Sequence, residues 1–226
     1  GGLAGQQIGS GVAQDIALGV NLGLTYELDG LTLGAIYKSE VKYDIDEVVS
    51  NAVTAMYSSF GMPNTYTQDE MATPAEFGVG ISYTMNEHTI AVDYRNINWE
   101  DAEVYQDFGW EDQDVIAVGY EYATSGWAVR CGYQYAESAV QDNDAKGLAL
   151  DAIGSLTNTF NLLGFPGTQE SHITLGGTYA FNETLSMDLA AVFGLENTET
   201  YTNFAAQDIS VKHSESSYSV QVNYAF

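Results

Sequence analysis

The chain has 226 residues, 45% of them hydrophobic, with 31 acidic residues against 6 basic ones and a formal net charge of −25. So few cations cannot build a basic patch, which excludes nucleic acid as a partner and attachment to anionic lipid through a polybasic segment. A single cysteine, Cys131, excludes an internal disulfide framework and a cysteine-built metal site.

No stretch reaches the roughly 18 consecutive apolar residues that a membrane-spanning helix needs. The mean hydropathy of −0.12 has the look of a soluble protein. That average conceals alternation, because lipid-facing apolar and lumen-facing polar residues cancel along a transmembrane strand. Periodicity is therefore the informative quantity.

Period-two alternation begins with Ile16, Leu18, Val20, Leu22, Leu24, Tyr26 and Leu28 on one face, opposed by Gly19, Asn21, Gly23, Thr25 and Glu27. Asp29-Gly30 is a two-residue hairpin turn. A second strand is expected to run from Leu31 through Leu33, Ala35, Tyr37 and Val41 to Tyr43, with Lys38, Glu40, Lys42 and Asp44 on its polar face. The pattern recurs over 77–83, 90–94, 116–122, 127–135, 173–181, 185–193 and 218–226. Turns at 29–30, 85–88, 123–126 and 182–184 are short; connections at 44–73, 100–113, 138–170 and 195–212 are long. Tyr26, Tyr83, Tyr122, Tyr179, Phe181 and Tyr224 fall at the short-turn ends, where a periplasmic aromatic girdle belongs. Soluble sandwich strands average about 5–6 residues, half the length expected here. The fold class is therefore all-β, a transmembrane antiparallel up-and-down β-barrel with nine strands visible. Single-chain bacterial barrels have even strand numbers, and 1–11 shows no alternation, so the chain reads as truncated at its front, consistent with the lack of an initiator Met and signal peptide.

Two long loops carry apolar residues at helical spacing: Ile45, Val48, Val49, Ala52, Met56 and Phe60 in one, and Leu148, Ala152, Ile153, Leu156, Phe160 and Leu163 in the other, continuing to Phe165. Apolar helices in water-facing loops either receive a ligand or pack on each other and plug the mouth. The ligand reading assigns Val49, Met56, Phe60, Leu156, Phe160, Leu163 and Phe165 to capture of a hydrophobic small molecule. Parity places Lys38, Lys42, Arg95 and Arg130 on the lumen face with Glu27, Glu40, Asp44, Glu76, Asp93, Glu121 and Asp188. These charges either brace the barrel, or Lys38, Arg95 and Arg130 hold a ligand carboxylate, a task suited to the guanidinium fork. His88, His172 and His213 lie on separate segments and no catalytic constellation forms, so no enzyme is expected, nor a cofactor. The acidic loops form a solvated outer face; divalent cations could bridge them to lipopolysaccharide, although no loop shows a calcium motif.

The stretches Pro74-Ala-Glu-Phe-Gly-Val-Gly-Ile-Ser-Tyr83 and Ala91-Val-Asp-Tyr-Arg-Asn-Ile-Asn-Trp99 resemble the FadL/TodX family of outer-membrane transporters of long-chain fatty acids and other hydrophobic compounds. Val129-Arg-Cys-Gly-Tyr-Gln-Tyr135, His172-Ile-Thr-Leu-Gly-Gly-Thr-Tyr179 and the terminal Ser219-Val-Gln-Val-Asn-Tyr-Ala-Phe226 are similar to it too. The resemblance implies a barrel of fourteen strands with an N-terminal hatch, these nine being the last, so that the hatch and the kinked strand with its lateral opening lie outside the chain. It implies passive transport through an integral outer-membrane protein, loop 44–73 being one wall of a capture groove. The implied partners are outer-membrane lipid, lipopolysaccharide and, through the C-terminal strand, the barrel-assembly machinery. A diffusion porin or a structural barrel is the competing class; the first needs a wide polar lumen without apolar loop helices, the second a lumen filled with side chains.

Overall fold

A computed structural model describes residues 12–63, 66–164 and 167–226; the sequence reading of 1–11 and of Phe165 lies outside the described residues. The strands are β1 (Asn21–Leu28), β2 (Leu31–Lys38), β3 (Val41–Asp44), β4 (Glu70–Thr73), β5 (Glu76–Met85), β6 (His88–Ile97), β7 (Gln113–Ala123), β8 (Trp127–Ala136), β9 (Ser171–Ala180), β10 (Leu185–Thr202) and β11 (Asp208–Tyr224). Two loop helices join them: α1 (Val49–Ser59) between β3 and β4, and α2 (Ala152–Gly164) between β8 and β9. Nine strands form one sheet in the order β1-β2-β5-β6-β7-β8-β9-β10-β11, each antiparallel to its neighbours, and β3 and β4 form a separate two-stranded ribbon.

Turn chemistry sets the hairpin registers. Asp29 and Gly30 both have positive φ, at 48° and 84°, so the chain reverses in two residues and Leu28 faces Leu31. Pairing then runs without slippage from β1 to β9. This register keeps the apolar sets of all nine strands on one face. None of the described residues covers that face: Leu24 is 72% exposed, Val118 47%, Leu175 49% and Val220 68%. An apolar sheet face of this breadth calls for a hydrocarbon medium. At its short-turn border Tyr122 packs against Trp127 at 5.4 Å and Tyr179 against Phe181 at 5.2 Å, forming part of the expected aromatic girdle.

The first strand begins at Asn21, so Ile16, Leu18 and Val20 precede it, and two further sequence expectations need correction. The second strand does not continue to Tyr43. Ser39 donates its N–H to the Val20 carbonyl and accepts the Val20 N–H on Oγ, ending the β1–β2 edge, and the chain leaves the sheet as β3 to pair with β4. Alternation fixes which face a side chain takes but not which strand it pairs with, so Glu40, Lys42 and Asp44 are not on the lumen wall. The second correction concerns 195–212. Most of it is strand, because β10 and β11 run on past the sheet as a long hairpin whose turn spans 203–207. A β-bulge between Gly194 and Asn197 breaks the period there and hid the continuation. By adding one residue to β10, the bulge inverts its parity, so that Tyr201 points to the side that Gly194 occupies below.

Candidate functional site

The polar face of the sheet carries two ion-paired clusters. On one side Lys38 Nζ lies 3.0 Å from Glu76 Oε2, and Arg95 Nη1 lies 3.6 Å from the same oxygen, linking β2, β5 and β6. On the other side Arg130 donates to Glu121 on β7 and, at 2.8 Å, to the Thr178 hydroxyl on β9. The Thr178 hydroxyl in turn donates a hydrogen bond to Asp188 on β10 at 2.6 Å, and Asn223 on β11 donates to the other Asp188 oxygen at 2.6 Å. This relay ties five consecutive strands together. Between the clusters the wall is thin in side chains, with Gly34, Gly78, Gly80, Ala91, Ala117, Gly119 and Gly132 leaving two adjoining depressions of about 520 and 480 Å³.

The long-loop end carries a cap with its own chemistry. The ribbon β3–β4 is pinned by Lys42, whose ammonium donates to Glu103 at 2.9 Å and lies 3.6 Å from Glu70 and 3.7 Å from Glu40. That ammonium, helped by amide donors from Gln68 and Gln106, holds the Glu103 carboxyl below its usual range. Helix α1 starts on Val48, which offers no side-chain cap. Asp69, brought back by the ribbon, supplies one instead: it accepts the Ser50 N–H at 2.8 Å and the Ser50 hydroxyl at 2.6 Å. Burial pushes the Asp69 carboxyl up, but these donors and the N–H groups of Glu47 and Val49 outweigh it, and its pKa lies below normal.

Helix α2 lies over the inverted face of the β10–β11 hairpin. Leu162, fully buried, packs with Val140 and Tyr201, flanked by Trp110, Ile209 and Val211. The Tyr201 hydroxyl donates to the Val140 carbonyl at 2.7 Å, and burial pushes that phenol's pKa up. Asn161 donates to the Phe108 carbonyl at 2.7 Å and Asn158 to Asp142 at 2.7 Å, so two of the five buried residues of α2 are amides. Trp110 is ringed by Trp99 at 5.1 Å and Tyr105 at 4.9 Å.

The predicted capture residues divide. Leu156 is buried, whereas Leu163 stays 63% exposed, as does Ile153. Phe160 is half-buried and stacks on Phe108 at 4.9 Å; Val49 and Met56 are half-buried in α1. The expected apolar stripe of α2 is rotated: its buried residues are Ser155, Leu156, Asn158, Asn161 and Leu162, because the asparagines satisfy loop carbonyls and carry the helix inward with them. Phe60 packs on Phe204 at 5.3 Å, and Phe204 also donates its N–H to the Thr159 hydroxyl at 3.1 Å. The hairpin tip therefore joins the end of α1 to the middle of α2. Phe204, Phe108, Leu162 and the two asparagines escaped the sequence reading; an aromatic residue isolated in a short polar turn was the available signal for Phe204. The lumen cations Lys38, Arg95 and Arg130 are each set against a carboxylate, while Lys42 belongs to the cap.

Residues 2–150 match the family described as outer membrane protein transport protein (OMPP1/FadL/TodX). The chain belongs to that family. It is an integral outer-membrane β-barrel chain, and the resemblance read from its strand motifs holds. Its fold is similar to the crystal structure of the Pseudomonas putida toluene transporter TodX, with a TM-score of 0.55 and 20% identity over 92% of this chain and 48% of that one. The Ralstonia pickettii toluene transporter TbuX is similar with a TM-score of 0.52 and 16% identity, again over 92% of this chain and 48% of the other. The chain thus spans about half the length of these structures. No curated protein matches it in sequence.

Proposed function

We propose that this chain serves passive transport of hydrophobic small molecules across the outer membrane, and that its long-loop cap is where the cargo first binds. The observation that carries the reading is the exposure of large apolar side chains on a cap that has a well-packed core of its own. Leu150 is 81% exposed, Ile153 and Leu163 63% each and Phe60 38%, all beyond the strands that face lipid. Leu150, Ile153 and Leu163, which the cap core does not use, form with the exposed edge of Phe60 a surface onto which an acyl chain or an aromatic ring partitions. Each methylene buried there contributes roughly 0.8 kcal/mol. Cargo then passes to the depressions in the lumen wall, where Lys38, Arg95 and Arg130 act as braces or grip an anionic headgroup. No residue arrangement among those described offers an energy source, so movement follows the gradient. Membership of a transport family and likeness to two toluene transporters support this reading, and monoaromatic compounds join fatty acids as candidate cargo.

The test is displacement of a fluorescent fatty acid from the full-length protein in detergent, with loop 45–62 intact and deleted, and with Phe60→Ala and Leu163→Ser. Saturable binding that weakens several-fold in the deletion and in both variants is expected. Absence of binding, with ion conductance in planar bilayers, would leave a diffusion porin.

A further inference from the structure

Where the β10–β11 hairpin leaves the wall, two crosspieces on the lumen side hold its root. Register sets His172 on β9, Gly194 on β10 and Glu215 on β11 side by side, at the edge of the bulge. Gly194 leaves a gap between its neighbours: a Cβ there would lie 2.6 Å from Gln169 Oε1 and 2.8 Å from the Glu215 side chain. The first crosspiece is Gln169, whose amide donates to the Leu195 carbonyl at 2.6 Å and to the His213 carbonyl at 3.3 Å, where the bulge interrupts the β10–β11 ladder. The second is His172, whose Nε2 lies 3.5 Å from Glu215 Oε1, so that β9 reaches β11 across the intervening strand. The ring is mostly buried, and its Nδ1 has no hydrogen-bond partner among the described residues. β9 begins at Ser171, one residue from this level. Beyond it β10 and β11 run on alone and carry Tyr201, Ile209 and Val211 to the cap core.

The two crosspieces differ in kind. The amide is neutral at every pH, whereas an imidazole changes charge between about pH 5 and pH 8. At 3.5 Å a neutral ring makes a weak contact with Glu215, but a protonated ring is a cation facing a carboxylate. The ionisable groups on the neighbouring segments are Glu215 and His213 on β11, Glu170 ahead of β9, Glu199 on β10 and Asp142 in the loop before α2; β8 sets the neutral Gln134 opposite His172. Apart from His213 these are carboxylates, so a proton on His172 meets no lysine or arginine there. Lys212 takes the other face of β11, beside Glu196.

We infer that His172 and Glu215 form a pH-sensitive clasp that holds the root of the β10–β11 hairpin, and through it the floor of the cap, more firmly in mild acid than above neutral pH. The inference goes beyond the transport reading and does not depend on it. A contact that needs the ring proton contributes fully below the imidazole range and is lost as the pH rises through it. Gln169 then remains as the neutral crosspiece, so the hairpin loosens without leaving the wall.

The experiment is amide hydrogen exchange on the full-length protein in detergent at about pH 5.5 and about pH 8, on either side of most of the imidazole range, with labelling times scaled to the intrinsic exchange rates. In the wild type the amides of 197–211 should exchange about two- to fivefold faster at the higher pH, the range expected for a partly exposed ion pair, while those of 88–97 stay unchanged. His172→Gln and Glu215→Gln should each abolish the step and leave the hairpin in its looser state at both pH values. His172→Lys, charged throughout, should keep it protected at both. Burial pushes the Glu199 carboxyl up, which makes it a competing site for the proton, and His213 is another; Glu199→Gln and His213→Gln should both retain the step. A wild type without the step would overturn the inference, as would a step that survives in either His172→Gln or Glu215→Gln. So would its loss in Glu199→Gln or His213→Gln, or a His172→Lys hairpin that still loosens at the higher pH.

Discussion

The wall and the cap of this molecule are built on opposite rules. In the wall the apolar side chains point away from the protein, and strand ladders and cross-strand ion pairs supply the cohesion. In the cap, Leu162, Val140 and Tyr201 turn inward around an ordinary hydrophobic core, and asparagine side chains satisfy the loop backbone. The wall is designed for a solvent that cannot hydrogen-bond, so between β1 and β11 the backbone groups pair strand to strand and side-chain packing is left to lipid. The cap stands in water and has to exclude it. The β10–β11 hairpin belongs to both, and the bulge at Gly194/Asn197 is the point at which its two faces exchange roles. One chain thus turns its apolar side outward below the bulge and inward above it.

That contrast can be broken at either end. The largest effect is expected from Leu162→Ala, which removes the centre of the cap core at a cost of about 2–5 kcal/mol. Amide hydrogen exchange should accelerate in 140–164 and 197–211 while the amides of 88–97 and 113–123 keep their protection; equal acceleration in both would mean that wall and cap are one cooperative unit. Val118→Arg attacks the other rule by placing a charge at mid-strand on the lipid face. It should cost about 2–4 kcal/mol of folding free energy in vesicles, read from urea titration, without loosening the cap of the folded fraction. Asn161→Ala sharpens the comparison within the cap by leaving the Phe108 carbonyl and the Trp110 indole N–H without their partner. A loss of about 1–3 kcal/mol is expected, with a change in the near-ultraviolet dichroism of the Trp99–Trp110 pair.

The smallest effect concerns the Asp69 cap of α1. Asp69→Ala should cost about 0.5–2 kcal/mol, confined to exchange in 49–59. Because the folded carboxyl titrates below its unfolded value of about 3.9, its contribution is complete above that value and disappears as the pH falls through the lower, folded one. Wild-type α1 should therefore lose protection in acid while the Ala variant shows no such step. A variant that keeps the acid transition would show that another carboxylate caps the helix.

Strand positions in the wall were legible in the sequence because lipid and lumen impose a strict period of two. Leu22 to Leu28, Phe77 to Tyr83 and Ile116 to Tyr122 fall where alternation puts them, and Asp29-Gly30 specifies its turn by φ alone. The lumen positions of Lys38, Arg95 and Arg130 followed from the same parity. Pairing partners did not, because period two is indifferent to which strand lies alongside; β3 shows the same pattern as β2 yet leaves the sheet. The cap was legible only as helices. Which face of α2 is buried depends on carbonyls at Phe108 and on a carboxylate at Asp142, both remote in sequence, and Asn158 and Asn161 carry no apolar signal. What the sequence determined by itself is therefore the architecture that the solvent enforces, an alternating barrel wall with long outer loops and no helix long and apolar enough to cross the membrane. The tertiary structure decided what depends on residues distant along the chain: the exit of β3 from the sheet, the rotation of α2, and the meeting of Phe60 with Phe204.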